Sequence, residues 1–185
     1  MSELKDEEIV SKIRDGDKEL YGVLIERYAD KLTRYGKRFL SDKDDIEDTV
    51  QNVFVKAYIN INSFDTSRSF SSWIYRIAHN EYVNILKKKK MSYFSLFEFD
   101  TFFPQLVMGK SAYEEAITRE QKIEIEKALN CLAPKYKEPL LLFLYEDKSY
   151  EEISEILQIP KATVGVRIMR ARKQLEKELE QYEKS

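Results

Sequence analysis

A shortage of turn-forming residues constrains this chain more than any other feature. Its 185 residues include five glycines and four prolines, and no proline precedes Pro104. Folds rich in β-structure need frequent Gly, Pro or Asn at corners, because these types supply positive φ, a pre-set φ or a local side-chain bond. A chain that lacks them for so long is expected to be helical, and no segment alternates as a strand hairpin would. Apolar residues recur instead at steps of three and four, in Leu20, Leu24, Tyr28 and Leu32 and again in Ile46, Val50, Val53, Phe54 and Ala57. A third helix is expected over 71–90, with Phe70, Trp73, Ile74, Ile77, Ala78 and Ile85 on its buried side. Residues 1–90 thus read as one all-helical bundle.

Composition narrows the function classes. Apolar residues at 43% allow a packed core, and charged residues reach 35%. The one cysteine, Cys131, excludes an internal disulfide framework or a cysteine metal cluster. The one histidine, His79, excludes zinc sites built on several imidazoles. Residues 1–8 carry four acids and no apolar stretch, unlike a secretory signal. No apolar run approaches the ~18 residues that span a bilayer, so no direct membrane insertion is expected. The expectation is a reduced, soluble, cytoplasmic protein without cofactor or metal. The 31 basic and 33 acidic residues nearly cancel, to a net charge of -2. Taken as an average, that balance argues against a protein that coats nucleic acid.

The charge is sorted along the chain, however. Residues 91–116 hold one lysine, Lys110, beside Glu98, Asp100, Glu114 and Glu115, and five phenylalanines (Phe94, Phe97, Phe99, Phe102 and Phe103). Flexible linkers are polar, so this linker is expected either to cover a domain face or to dock a partner. Helices are then expected over 117–132 and 136–145, with Pro134 and Pro139 bracketing the start of the second. The domains expected are 1–90, a linker 91–116, and 117–185.

The clearest signal follows. Ser149 with Glu152 fits a capping box, and Ile153, Ile156 and Leu157 give one apolar face. Ile159-Pro160 should end that helix. In the next, Val164, Ile168, Ala171 and Leu175 share a face, while Lys161, Arg167, Arg170, Arg172 and Lys173 occupy the others, with no acid between 161 and 173. This is how a DNA-reading helix-turn-helix is built, one helix buttressing and the second entering the major groove. A basic solvated helix would look similar in charge alone; the cap, the short turn and the unbroken positive run favour DNA.

Two further stretches await a role. Asp42, Asp44, Asp45, Glu47 and Asp48 crowd seven positions opposed only by Lys43. An acidic helix start suits the helix dipole, and a surface meeting a basic partner would look the same. No phosphate loop or nearby histidine completes a catalytic set. On the third helix, Arg76, Asn80, Asn84 and Lys87 to Lys90 approach one another, with Tyr75, His79 and Tyr82 nearby. Cations and amides among aromatics suit single-stranded DNA, although a lysine run also suits a solvated helix end. His79 on its own reads as structural.

In this order the motifs resemble the extracytoplasmic-function (group four) sigma factors of bacterial RNA polymerase, in the sigma-70 family. Asp45-Ile46-Glu47-Asp48-Thr49-Val50-Gln51-Asn52-Val53-Phe54-Val55-Lys56-Ala57-Tyr58 is similar to region 2.2 of that family. Phe70-Ser71-Ser72-Trp73-Ile74-Tyr75-Arg76-Ile77-Ala78-His79-Asn80 is similar to its F-x-x-W-L-x-R-I-A-x-N stretch, and Ser149 through Arg172 to its region 4.2. The resemblance implies an all-α protein of two small helical domains joined by the aromatic linker. It implies a non-enzymatic specificity subunit whose partners are core RNA polymerase (β′ clamp helices and β flap), promoter DNA and an anti-sigma factor, often membrane-bound.

Carried over by position, the resemblance assigns Asp45, Glu47, Asp48, Gln51, Asn52 and Phe54 to polymerase. It assigns Phe64, Trp73, Tyr75, Arg76, Asn80, Asn84, Lys87 and Lys88 to the melted minus-ten element, with Asn80 at a flipped base. Lys161, Thr163, Gly165, Val166, Arg167, Met169, Arg170 and Lys173 fall to the minus-35 duplex. Many members read G-T-V-[KR]-S-R at the start of the recognition helix. This chain has Ala162-Thr163-Val164-Gly165-Val166-Arg167, losing a basic residue and a serine. A stand-alone helix-turn-helix regulator would leave the other two motifs unused, and a small helical enzyme would lack a nucleophile and base. With the total charge near zero, DNA binding is expected to be local and to rely on core polymerase.

Overall fold

A computed structural model describes residues 4–89, 125 and 127–182, and among them the secondary structure is helical with no strand. The expected linker, Lys90 and most of the helix expected over 117–132 lie outside the described residues. The chain forms two compact units, one built on the first four helices and one with its body in the C-terminal helices.

In the first unit, α1 (Asp6–Arg14), α2 (Tyr21–Gly36), α3 (Lys43–Ile59) and α4 (Phe70–Lys88) form a bundle in which α2, α3 and α4 pack on one another and α1 closes one side. Each start has a local cause. Three acids, Asp6, Glu7 and Glu8, occupy the first turn of α1, where the dipole favours negative charge. Asp42 caps α3 by accepting from the N–H groups of Asp44 (2.9 Å) and Asp45 (3.1 Å), and Ser69 caps α4 by accepting from Ser72 N–H (3.2 Å). Caps of this kind contribute about 1 kcal/mol each.

The core differs from the expected one along α4. Its buried residues are Phe70, Ser72, Ile74, Tyr75, Ala78, His79, Tyr82 and Leu86, while Trp73, Ile77 and Ile85 are half-buried. The helix is rotated inward on Tyr75 and Tyr82, and the polar tips of Tyr82 and His79 find partners. The Tyr82 hydroxyl donates to the Leu32 carbonyl (3.0 Å), and the Tyr35 hydroxyl shares a hydrogen bond with His79 Nδ1 (2.9 Å). Phe39 and Tyr82 stack at 5.4 Å, and Tyr35 meets Tyr75 at 5.4 Å. A buried ring whose polar atom is satisfied contributes its full apolar area.

In the second unit, α5 (Pro134–Tyr145) packs on α7 (Lys161–Tyr182), and α6 (Tyr150–Leu157) precedes α7 in sequence. Pro139 lies inside α5 instead of marking its start. The cost of its missing N–H is offset by burial of Leu140, Leu141, Leu142 and Leu144 around it. The helix α6 stops at Leu157, two residues before the expected Ile159-Pro160, because Gln158 turns left-handed (φ 53°) and its N–H bonds to the Ser154 carbonyl. Among the described residues, no helix is long and apolar enough to cross a membrane.

Candidate nucleic-acid interface

Three helices present exposed stripes opposite a sealed core face. On α3, Ile46, Val50, Val53, Phe54 and Ala57 are buried, whereas Asp48, Gln51 and Asn52 are exposed. Asp45 is drawn into an ion pair with Lys89, and Glu47 pairs with Lys43 at 3.3 Å. Phe54 is buried, its carbonyl accepting from the Tyr21 hydroxyl at 2.6 Å, so it supports the helix and is not available to a partner. The stripe continues through two residues that the sequence reading passed over, Val55 (55% exposed) and Ile59 (71% exposed). Their steps of four, from Gln51 to Val55 and from Val55 to Ile59, are the available signal, since apolar residues off the buried seam have no packing role.

On α4, Asn80, Asn84, Lys87 and Lys88 are exposed at steps of three and four, and Arg76 is half-buried. Tyr75 does not join them. It is 1% exposed, one of the aromatic core's members, because one residue turns about 100° around a helix and carries its ring away from Arg76. Phe64 is buried too and acts as a brace, at 5.1 Å from the half-buried Trp73 and 5.6 Å from Phe70. His79 sits inside, and burial, with the Lys87 charge second, pushes its pKa down to about 4.

The loop before α4 is held from α1, an element whose part the sequence did not disclose. Arg14 donates through Nε (3.0 Å) and Nη2 (2.5 Å) to the Ile61 carbonyl and through Nη2 to that of Phe64. Glu7 Oε1 accepts from Phe70 N–H at 2.9 Å. Within the loop, Ser67 donates to Asp65 through Oγ (2.7 Å) and N–H (3.0 Å), which holds that carboxyl below its usual range.

The helix-turn-helix agrees closely with its sequence. Ser149 Oγ accepts from Glu152 N–H (3.2 Å) while Glu152 Oε2 accepts from Ser149 N–H (2.9 Å). Val164, Ile168, Ala171 and Leu175 are all buried. Thr163 and Val164 donate their N–H groups to the Pro160 carbonyl, at 2.8 and 3.1 Å, fixing the first turn of α7. Val166, Met169, Arg170 and Lys173 are exposed, with Thr163, Gly165 and Arg167 partly so. Lys161 is exposed but pairs with Glu151, whose carboxyl it holds low. Arg170 reaches the Tyr136 hydroxyl and lowers its pKa, and Arg172 lies over the Phe143 ring at 5.4 Å.

Comparison with known proteins accounts for all three helices together. The model of sigma-70 region 2 matches residues 24–91, and that of sigma-70 region 4 matches residues 122–175. The ECF RNA polymerase sigma factor SigW of Bacillus subtilis (strain 168) is 34% identical over 176 residues, covering 92% of this chain and 94% of that protein. The chain belongs to the extracytoplasmic-function sigma factors. An ECF RNA polymerase sigma-E factor from Haemophilus influenzae is 31% identical over 96% of this sigma factor and 97% of its own length. Two solved structures share the fold. CnrH in complex with the cytosolic domain of CnrY has a TM-score of 0.69 at 22% identity, over 95% of this chain and 97% of that one. RpoE in complex with the anti-sigma factor NepR, from Bartonella quintana, has a TM-score of 0.65 at 21% identity, over 86% and 96%. As a member of this family, the protein is an alternative sigma factor that directs transcription initiation.

Proposed function

We propose that each exposed stripe meets one partner of the initiation complex. Asp48, Gln51 and Asn52, extended by Val55 and Ile59, dock on the clamp helices of the polymerase β′ subunit. Asp45 and Glu47 contribute charge around that contact. Asn80, Asn84, Lys87 and Lys88 hold the melted minus-ten strand, with Arg76 and Trp73 at its edge and Asn80 at the flipped base. The outer face of α7, from Lys161 and Thr163 through Gly165, Val166, Arg167, Met169 and Arg170 to Lys173, enters the minus-35 major groove, while the second unit also meets the β flap. On this reading residues 1–90 and 117–185 are separate working domains, and 91–116 joins them.

The observation that carries the reading is the sorting of surface chemistry by helix. The α3 stripe is acidic and apolar, which suits protein; the α4 stripe joins amides to cations, which suits single-stranded DNA; the α7 face from Lys161 to Lys173 has no acid and suits a duplex. The protein performs no chemistry on DNA, acts in the cytoplasm beside polymerase, and is restrained by an anti-sigma factor that masks the docking faces. Transcription by reconstituted holoenzyme on a promoter pool tests the assignment. Replacing Asp48 and Gln51 should weaken core binding with the fold intact; Asn80→Ala should impair open more than closed complexes; Arg170→Ala should reduce use of templates that carry a minus-35 element. Equal losses at every step for all three would refute the division of labour.

A further inference from the structure

The outer face of α7 is apolar at its centre. A helix turns about 100° per residue, so Val166 lies about 200° from Val164 and thus opposite the buried seam. Val166 is 43% exposed and Met169, three residues on, is 63% exposed. Neither packs the core, which Val164, Ile168, Ala171 and Leu175 already seal. The pair is bordered by Arg170 and Lys173, and Lys173 and Arg167 have no ion pair among the described residues. A large exposed apolar pair within a positive surface complements a partner that is anionic overall yet offers isolated apolar groups. Duplex DNA has that character: phosphates on the rim, and in the major groove one apolar group, the thymine 5-methyl.

Gly165 supports this. A Cβ there would meet the Tyr150 ring at 3.5 and 3.8 Å, ordinary contact distances, so packing does not demand a glycine. Its bare backbone leaves no long side chain at the next position to hold Val166 away from a surface. Valine has no donor or acceptor, so against guanine or cytosine it would cover polar edges without replacing their hydrogen bonds.

We infer that Val166 is a specificity-determining residue that selects a thymine methyl in the minus-35 element, with Met169 walling the same apolar contact and Arg170 and Lys173 held to phosphates. This rests on the proposal that α7 reads the minus-35 duplex.

The test uses holoenzyme reconstituted with core polymerase. The preferred minus-35 element is first selected from a randomised duplex library. Each thymine is then replaced by deoxyuridine, which deletes the methyl and keeps the pairing. At one position the replacement should weaken closed-complex binding about fourfold, the factor equivalent to one buried methyl-sized group. Val166→Ala should abolish that penalty and relax selection at the same position. A selected element without thymine, indifference to every deoxyuridine, or a penalty that survives Val166→Ala would overturn the inference while duplex reading stood. If the library yields no minus-35 preference and Arg170→Ala changes nothing, the reading on which it rests fails as well.

Discussion

Gly36 and Gly165 both lie in helices, and replacing each by alanine should change stability in opposite directions. At Gly36 a Cβ would fall 2.4 Å from Tyr82 Oη, 2.6 Å from Cζ and 2.8 Å from Cε1. Tyr82 is fully buried, stacked on Phe39 and bonded to the Leu32 carbonyl, so its ring has nowhere to retreat. Overpacking of this kind costs about 1–3 kcal/mol, and losing the buried hydroxyl's partner costs about 1–3 kcal/mol more. The helix-propensity gain of about 1 kcal/mol offsets part of this, leaving a net loss of about 1–5 kcal/mol. At Gly165 the nearest atom stands at an ordinary 3.5 Å, so the propensity gain of about 1 kcal/mol survives.

Urea unfolding of the full chain separates the two effects. The one tryptophan, Trp73, reports the first unit alone. With a slope of about 1 kcal/mol per M for a unit this small, Gly36→Ala should lower the fluorescence midpoint by about 1 M or more. Gly165→Ala should leave that midpoint in place and raise the far-ultraviolet circular dichroism transition of the second unit. Tyr82→Phe should rescue Gly36→Ala only in part, since Cζ and Cε1 still collide. An unchanged fluorescence midpoint for Gly36→Ala would refute the argument, as would Tyr82→Phe having the same effect in both backgrounds, because coupled neighbours cannot be additive.

Two other outcomes follow from the site. The folded pKa of His79, about 4, lies below the ordinary 6.5, so between these values the unfolded chain binds the extra proton. The stabilisation is therefore complete above pH 6.5 and lost as pH falls toward 4, amounting to about 3 kcal/mol by linkage; His79→Gln should flatten the pH dependence of the Trp73 transition in that window. Arg14→Ala should destabilise the first unit by about 1.5–3 kcal/mol, the range for hydrogen bonds from a charged donor. By releasing the Ile61 and Phe64 carbonyls it should also slow open-complex formation on promoters, and normal kinetics in holoenzyme would show that the loop needs no such anchor.

Some of the molecule was legible residue by residue. The lack of glycine and proline determined the helical class, and the capping box at Ser149 and Glu152 set the start of α6 within a residue. The seam Val164, Ile168, Ala171 and Leu175 oriented α7 correctly, so its exposed residues followed. These features are local: caps bond backbone groups three residues away, and an aliphatic seam has only one side that can leave water.

Only the tertiary structure decided the rest. Tyr75 and Tyr82 read as rings beside the outer cations and amides because each carries a polar atom, and His79 as structural; all three are buried because α2 and the helix end supply Tyr35, Phe39 and the Leu32 carbonyl to receive them. Val55 and Ile59 are apolar yet lie outside because the α3 seam is filled by Val53, Phe54 and Ala57. Asp45 turned to Lys89, and Arg14 reached across to a loop nearly fifty residues away. Whether an amphipathic side chain is buried depends on whether a distant segment satisfies its polar end, and periodicity within one helix carries no information about that partner.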